Sequence, residues 1–244
     1  KELAEKIKAE TLKQEATVLE SEAEIKRMPP PQLFDLTTLQ REANKKYGYS
    51  ADKTLKIAQA LYERHKLLTY PRTDSRYLTN DMIPKVEKVL RALPEPYAGM
   101  IAPVMDKPLT RTKRIYDESR VSDHHAIIPT RELKKCNLGE LPKGELAILQ
   151  LISNRLCVAV GDPHRYAETV IELDCGGTAF SAKGKTVLHN GWKALVKKNS
   201  STKIDEKEQE LPSVSVGDKM TVHETEIKEG KTSPPKHYTE DTLL

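Results

Sequence analysis

Amphipathic helices are predicted in the middle of the chain, directly after a run of three prolines. Apolar residues recur at helical spacing over residues 36–47, and Gly48 marks the end of this helix because glycine readily adopts a left-handed C-cap. Ser50 is a typical N-cap for a second helix. Two later apolar stripes cover residues 83–93 and 146–156. Residues 30–160 are therefore predicted to be mainly helical.

The segments on either side of this helical block show the alternation that is typical of β-strands. One lies before the prolines, at residues 15–27, and the others follow Gly161. These later strand patterns cover residues 166–174, 179–182, 187–196 and 214–228. The polar stretch at residues 198–210 predicts a flexible loop between them.

The order of these patterns leaves two domain arrangements open. The strands before and after the helical block either form one β domain with a helical insertion or belong to two unrelated pieces. The pattern PPxx[FY]xxxTL occurs at residues 30–39 and again at 234–243, and it combines a stiff strand exit with a threonine near a helix start. This recurrence favours the insertion and an α+β fold. The predicted boundaries are a β domain at 1–29 and 161–233, a helical domain at 30–160, and the start of a further helical domain at 234–244.

Composition excludes membrane-spanning and disulfide-rich classes. The chain is 31% charged, with a mean hydropathy of −0.60, and lacks the roughly 20 successive apolar residues of a bilayer helix. Residues 1–10 form a charged helical pattern without the apolar core of a secretion signal. The three cysteines are widely spaced and contain no CxxC, which predicts a reducing cytoplasm. The chain starts at Lys1 and stops in a helix-like pattern, so we expect further sequence at both ends.

Basic residues are concentrated in one part of the chain. The formal net charge of the chain is only +4, but the stretch from Arg41 to Arg76 contains nine basic residues and only four acidic ones. Such a stretch is either a solvated helix face or a surface that binds phosphates, and charge alone does not decide between them.

The segment LLTYPRTDSR at residues 67–76 contains a candidate nucleophile. Pro71 favours extended backbone at Tyr70, and residues i and i+2 of an extended segment share a face, so Tyr70 and Arg72 are predicted to point the same way. A phenol is a weak nucleophile unless a cation favours its ionised form, and a guanidinium can do so while also holding a phosphodiester. The pair suits phosphoryl transfer, with a purely structural Tyr-Pro-Arg loop as the alternative. Asp74 or Ser75 is predicted to cap the following turn.

A second cluster, SDHHAIIPT at residues 122–130, contains His124, His125 and Thr130. Histidine can donate to a phosphate or transfer a proton near neutral pH, and threonine adds a hydroxyl. Adjacent histidines in an extended segment point to opposite faces, so no metal site is predicted from them. A packing or capping histidine is the structural alternative.

Four motifs together resemble bacterial type IA DNA topoisomerases of the topoisomerase III group. They are LTYPRTDSRYL at 68–78, DHHAIIPT at 123–130, PPPQLFDLTTLQREA at 29–43 with YSADKTLKIAQALYE at 49–63, and PPKHYTEDTLL at 234–244. The resemblance implies that Tyr70 forms a 5′-phosphotyrosine link to one DNA strand, that Arg72 assists at the phosphate, and that His124 contacts DNA near the site. It also implies DNA contacts from Gln40, Lys53, Thr73, Asp74, Ser75, Arg76, His125 and Thr130.

The same resemblance implies a larger enzyme with a helical tyrosine domain inserted into a β gate that arches around a hole. The family's Toprim domain, whose acidic residues bind Mg²⁺, is absent from this sequence, as is most of the C-terminal part. We expect no cofactor in this chain itself, single-stranded DNA as its partner, no membrane association, and a place at the bacterial nucleoid. Strand passage and religation would need no ATP. The alternative is a noncatalytic gate module that binds single-stranded nucleic acid, with Tyr70 stacking on a base.

Overall fold

The computed structural model describes residues 1–95, 97–106, 112–196 and 209–244, which divide into two compact units. The sheet unit contains Lys1–Met28, His164–Asn190 and the described residues 209–235. The helical unit contains Pro29–Pro163, residues 191–196 and residues 236–244. The helical unit therefore lies mainly between two parts of the sheet unit along the chain.

The sheet unit is a four-stranded antiparallel sheet preceded by one helix. Its elements are α1 at Glu2–Thr11, β1 at Glu15–Met28, β2 at His164–Cys175, β3 at Thr178–His189 and β4 at Lys219–Thr221, and the strand order is β3-β2-β1-β4. Gly176 and Gly177 join β2 to β3 with positive φ angles of 60° and 80°, which glycine adopts without a steric cost. Val18 of β1 and Ile171 of β2 are buried.

The strand predictions are partly confirmed. β1 and β2 match their patterns, but the two patterns at 179–182 and 187–196 are one strand that ends at His189, followed by a short 3-10 helix, Gly191–Leu195. The predicted strand at 214–228 is wrong over most of its length because only β4 pairs, and it pairs only with Glu15–Thr17 of β1. Residues 198–208 of the predicted loop lie outside the described residues.

Among its described residues, the helical unit packs five α-helices around one apolar core. They are α2 at Leu36–Tyr47, α3 at Ala51–Glu63, α4 at Ile83–Arg91, α5 at Tyr97–Met105 and α6 at Lys143–Ala159. A sixth helix, α7 at Glu240–Leu243, contributes no buried side chain. Leu39, Leu61 and Leu156 are among the core side chains with no exposure to solvent. Two long segments without α-helix, at 64–79 and 112–142, belong to this unit, and the second contains 3-10 helices of three to five residues. They carry the candidate site.

The predicted end of α2 at Gly48 and the predicted start of α3 at Ser50 are confirmed, and the structure adds a cap at the start of α2 that is not among the predictions. The Asp35 carboxylate accepts from the Thr38 amide at 2.7 Å and from the Thr38 hydroxyl at 2.6 Å, and the Thr38 hydroxyl in turn accepts from the Asp35 amide, which forms a capping box. Gly48 ends α2 with φ at +67°. Ser50 caps α3 by accepting from the Lys53 amide. Local side-chain chemistry therefore sets these boundaries.

The C-terminal segment lies against α2 and the start of α3. Arg41 Nε donates to the Asp241 carbonyl at 2.9 Å, and the Glu240 carboxylate accepts from the Ala51 amide at 2.5 Å. Thr239 and Thr242 form a second capping box, so both copies of the repeated sequence pattern begin a capped helix. The assignment of residues 234–244 to a further domain stays a prediction. Among the described helices, none is long and apolar enough to cross a membrane.

Candidate active site

The candidate site is formed by two irregular segments that lie side by side. We call residues 66–78 the tyrosine segment and residues 123–130 the histidine segment. The Thr69 amide donates to the Ile128 carbonyl at 3.0 Å, and the Thr130 amide donates to the Leu67 carbonyl at 2.9 Å. The two segments are therefore antiparallel where they meet.

Tyr70 lies where the tyrosine and histidine segments meet, and its ring contacts two other aromatic side chains. Its ring centroid is 4.3 Å from that of His124, at an interplanar angle of 42°, and 5.5 Å from that of Tyr62, which it meets edge-on. Pro71 is buried beside it, whereas Tyr70 is half-buried and His124 is exposed. The structure thus brings together the predicted tyrosine and the first predicted histidine.

Two clefts open at the Tyr70 and His124 pair. One, of about 260 Å³, is lined by Tyr70, Thr79 and residues 121–125. The other, of about 430 Å³, is lined by Tyr62, Lys66, Leu68, Thr69, Tyr70, His124, His125 and Thr130. His125 also lines both clefts, and its Nδ1 lies 2.8 Å from the Ala126 carbonyl oxygen. A phosphodiester that enters either cleft meets the Tyr70 side chain.

Two tyrosines and one cysteine of the helical unit, which are also candidate nucleophiles by residue type, are packed in its core. Burial raises the pKa of the Cys157 thiol and of the Tyr116 hydroxyl to about 12, and it raises that of Tyr97 further. These groups are at most 5% exposed and stay protonated at neutral pH. Tyr70 differs from them because it reaches a cleft.

Arg72 is exposed, and its Nη2 donates to Gln59 Oε1 of α3 at 3.3 Å. The structure therefore gives the guanidinium a partner on a neighbouring helix. That Arg72 favours the ionised form of Tyr70 and holds a phosphodiester stays a prediction.

Several predicted DNA-binding side chains are occupied by contacts within the protein. Thr73 and Ser75 are 6% and 5% exposed, and their hydroxyls donate to the carbonyls of His124 and Arg120. The Thr130 hydroxyl donates to the Lys66 carbonyl at 2.5 Å. Such contacts favour structural roles for all three hydroxyls.

The two other basic or acidic candidates of the tyrosine segment are exposed. Arg76 Nε lies 3.4 Å from the Asp35 carboxylate, so it joins this segment to the capping box of α2. Asp74 is exposed between the buried residues Thr73 and Ser75. The predicted turn cap is supplied by Ser75, whose hydroxyl accepts from the Tyr77 amide at 3.2 Å.

Gln40 and Lys53 do not line the two Tyr70 clefts. Gln40 is 9% exposed and donates to the Ala51 carbonyl at 3.1 Å, which ties α2 to α3. The exposed Lys53 ammonium lies 4.0 Å from the centre of the Tyr49 ring. Lys53 lines a separate cleft of about 420 Å³, together with Lys56, Arg64 and Glu145. DNA contact by Gln40 and Lys53 stays a prediction.

Four of the nine basic residues between Arg41 and Arg76 are in ion pairs. Their partners are Asp241 for Arg41, Asp52 for Lys56, Glu145 for Arg64 and Asp35 for Arg76. The other five are exposed and form no ion pair with any described residue; they are Lys45, Lys46, Lys53, Lys66 and Arg72. These five side chains remain available to an anionic partner.

Two residues near the site are missing from the predicted site residues. Helical spacing assigns Tyr62 to the buried stripe of α3, but it is half-buried and lines the larger cleft with Lys66. Gln59 lies in the motif at residues 49–63, which assigns it no role, and only the tertiary structure places it beside Arg72. Tyr62 lies in the same motif, and the signal for it is its position at the end of α3, where the buried stripe stops.

The described residues do not provide a metal site. They contain no group of three or more histidine, cysteine, aspartate or glutamate side chains that could hold a metal ion. The Mg²⁺ that the family resemblance implies therefore has no ligand set within the described residues.

The whole chain, residues 1–244, matches the DNA topoisomerase family, so the chain belongs to the type IA DNA topoisomerases. It is 40% identical over 231 residues to DNA topoisomerase 3 of Bacillus licheniformis, 39% over 233 residues to that of Bacillus subtilis, and 41% over 236 residues to that of Bacillus anthracis. These alignments cover 94% or 95% of this chain and 32% of each relative. The chain thus spans about a third of the length of these relatives.

A similar fold occurs in the solved structure of full-length topoisomerase I from Thermotoga maritima. The TM-score is 0.62 at 23% sequence identity, and the match covers 90% of this chain and 34% of that chain. The expected α+β architecture of type IA topoisomerase central domains is confirmed by this match.

Proposed function

We propose that this chain supplies the attacking tyrosine of a topoisomerase reaction on single-stranded DNA. The observation that carries the proposal is the Tyr70 phenol packed at 4.3 Å on His124 beside an open cleft, in a chain of the DNA topoisomerase family. The names of the relatives agree with it, since they are DNA topoisomerases.

In the proposed reaction, the Tyr70 hydroxyl oxygen attacks a phosphorus atom of the DNA backbone. A tyrosine O–P bond forms, the P–O3′ bond breaks, and the phenolic proton passes to the leaving 3′ oxygen. The DNA then has a 5′-phosphotyrosine link and a free 3′-hydroxyl. Because one phosphodiester-type bond replaces another, attack by the 3′-hydroxyl reseals the strand without ATP after another strand has passed.

The neighbouring groups have chemistry that suits this step. The Arg72 guanidinium can hold a phosphodiester and stabilise the charge that builds on its oxygens. His124 can donate to a phosphate oxygen. Attack on the phosphate needs an accessible backbone, which favours single-stranded DNA. The five unpaired cations between Arg41 and Arg76 would add salt-dependent backbone contacts.

The proposal assigns different parts of the active site to different parts of a longer enzyme. The chain spans about a third of its relatives, and we propose that other parts of the enzyme, including a Toprim domain, bind Mg²⁺ and complete the site. The isolated chain is then not competent for cleavage. An enzyme of this kind acts on chromosomal DNA in the bacterial cytoplasm.

The test is Tyr70→Phe in the complete enzyme, with an end-labelled single-stranded oligonucleotide and Mg²⁺. We expect the denaturation-resistant protein–DNA adduct to disappear while noncovalent DNA binding persists, because the ring remains and the attacking oxygen is lost. Tyr62→Phe is the matched control, since it removes a hydroxyl from the adjacent ring, and it should retain the adduct. A persistent adduct in Tyr70→Phe contradicts the assignment.

A second experiment separates the enzyme from the noncatalytic alternative. The chain is incubated with the oligonucleotide and Mg²⁺, with and without a separately expressed Toprim part. An adduct only in the mixture supports the divided site. An adduct with the chain alone shows that the chain suffices, and no adduct despite association of the two parts favours a noncatalytic binding module.

A further inference from the structure

The alignment of the tyrosine and histidine segments depends on few backbone hydrogen bonds. Pro71 and Pro129 have no N–H to donate, one in each segment. Backbone bonds join the segments on the Leu67 side of Tyr70, where one isolated β-bridge pairs Leu68 with Pro129, and again at Tyr77, whose carbonyl accepts from the Ala126 amide at 2.8 Å. From residue 70 to residue 76, no backbone hydrogen bond to the histidine segment occurs among the described residues.

Threonine hydroxyls bridge the segments on both sides of Tyr70. One residue before it, the Thr69 hydroxyl accepts from the Ile128 amide at 3.0 Å and donates to the Ala126 carbonyl at 3.2 Å. Three residues after it, the Thr73 hydroxyl donates to the His124 carbonyl at 2.9 Å. These side chains supply contacts that the proline-interrupted backbone does not.

Thr73 is the more constrained of the two threonines. It is 6% exposed, and its hydroxyl also accepts from the Ser75 amide at 3.1 Å. Its carbonyl accepts from the Leu36 amide at 2.9 Å, which ties the tyrosine segment to the start of α2. The hydroxyl therefore connects a fixed part of the helical unit to the backbone of His124, whose ring contacts Tyr70.

We propose that Thr73 and Thr69 are positioning residues, whose hydroxyls hold the histidine segment where the His124 ring contacts the Tyr70 ring. The inference rests on the proposed function and assigns Thr73 a role other than the DNA contact predicted from the sequence. Thr73 acts through His124, because its only hydroxyl proton is directed to the His124 carbonyl.

The expected effect is on the chemical step. Displacement of a reacting group or its neighbour by about 1 Å can lower a rate by about 10²-fold. Thr73→Val keeps the branched shape but removes the bond to His124, so we expect adduct formation at saturating DNA to slow by about 10-fold to 100-fold. DNA affinity should be unchanged, because the hydroxyl is buried.

The experiment compares Thr73→Val with Thr73→Ser in the complete enzyme, and Thr37→Val, at an exposed site on α2, is the control. The readouts are the rate constant for adduct formation, the DNA dissociation constant, and the nuclear Overhauser effect between the Tyr70 and His124 rings in the chain without DNA. Thr73→Val should lose rate and ring contact, Thr73→Ser should retain both, and Thr37→Val should match the wild type.

Two results overturn the inference. One is a loss of DNA affinity without a loss of rate at saturating DNA, which identifies Thr73 as a DNA contact. The other is Thr73→Ser behaving like Thr73→Val, which assigns the effect to packing of the methyl group. If Thr73→Val does not fold, Thr69→Val and Thr69→Ser decide the question by the same readouts. If Tyr70 forms no adduct in the wild type, the proposed function fails, while the ring contact without DNA still tests the positioning.

Discussion

Substitution of Asp35, the N-cap residue of α2, tests how much one side chain contributes to the stability of the helical unit that carries the candidate site. Asp35 is 8% exposed, and its carboxylate accepts from the Thr38 amide at 2.7 Å and from the Thr38 hydroxyl at 2.6 Å. Its second oxygen lies 3.4 Å from Arg76 Nε in the tyrosine segment. Asp35→Ala removes all of these contacts, whereas Asp35→Asn keeps an N-cap oxygen and removes only the charge.

The two variants should differ in a way that follows from these contacts. Loss of an N-cap side chain costs about 0.5–2 kcal/mol. The ion pair adds at most about 1 kcal/mol, because the Arg76 side chain is 45% exposed and screened by water. We therefore expect Asp35→Ala to lower the unfolding free energy of the helical unit by about 1–2.5 kcal/mol, and Asp35→Asn by less than about 1 kcal/mol.

The assay is thermal and urea unfolding of the chain, followed by circular dichroism at 222 nm. At about 2–4 °C per kcal/mol, Asp35→Ala should lower the midpoint by about 2–10 °C. Thr239→Ala is the control, because it changes the N-cap residue of the four-residue, exposed α7 and should change the midpoint little. Equal losses in Asp35→Ala and Asp35→Asn would refute the reasoning, since charge rather than the cap would then dominate.

Two further predictions concern the backbone and the proposed chemistry. Gly191 has φ at +52°, and a Cβ there would lie 2.4 Å from the Asp162 and Pro163 carbonyl oxygens, so Gly191→Ala should cost at least about 1–2 kcal/mol in the same unfolding assay. Gly230→Ala, where a Cβ meets open space, should be neutral, and an equal loss in both variants would contradict the steric argument. Arg72→Ala should slow adduct formation by about 10² or more, as expected for loss of one electrostatic stabiliser, and an unchanged rate would remove Arg72 from the mechanism.

Helix ends and strand alternation were predictable because they depend on neighbouring residues. A glycine after an apolar stripe ends α2, and a serine before the next stripe begins α3. The long strands β1 and β2 lie where the sequence alternates between apolar and polar residues. Predictions failed where pairing decides the structure, as at residues 214–228, because a strand needs a partner edge and β1 offers one only at Glu15–Thr17.

Tyr70 and His124 were already candidate site residues from the sequence, since their motifs carry the resemblance to the family that the whole-chain match confirms. The 4.3 Å contact between their rings was not, because the two residues are 54 positions apart and meet only when irregular segments pair. The same limit applies to Arg72 and Gln59, which the fold brings together from separate elements.

Residue types and their short-range spacing were enough to predict the family, the α+β class, the cap of α3 and the chemical identity of the candidate nucleophile. The tertiary structure decided which hydroxyls are buried and which side chains face the clefts. Thr73 illustrates the difference. Its motif suggests a DNA contact, but the fold directs its hydroxyl to the His124 carbonyl, since hydrogen-bond partners are selected by three-dimensional proximity and not by sequence distance.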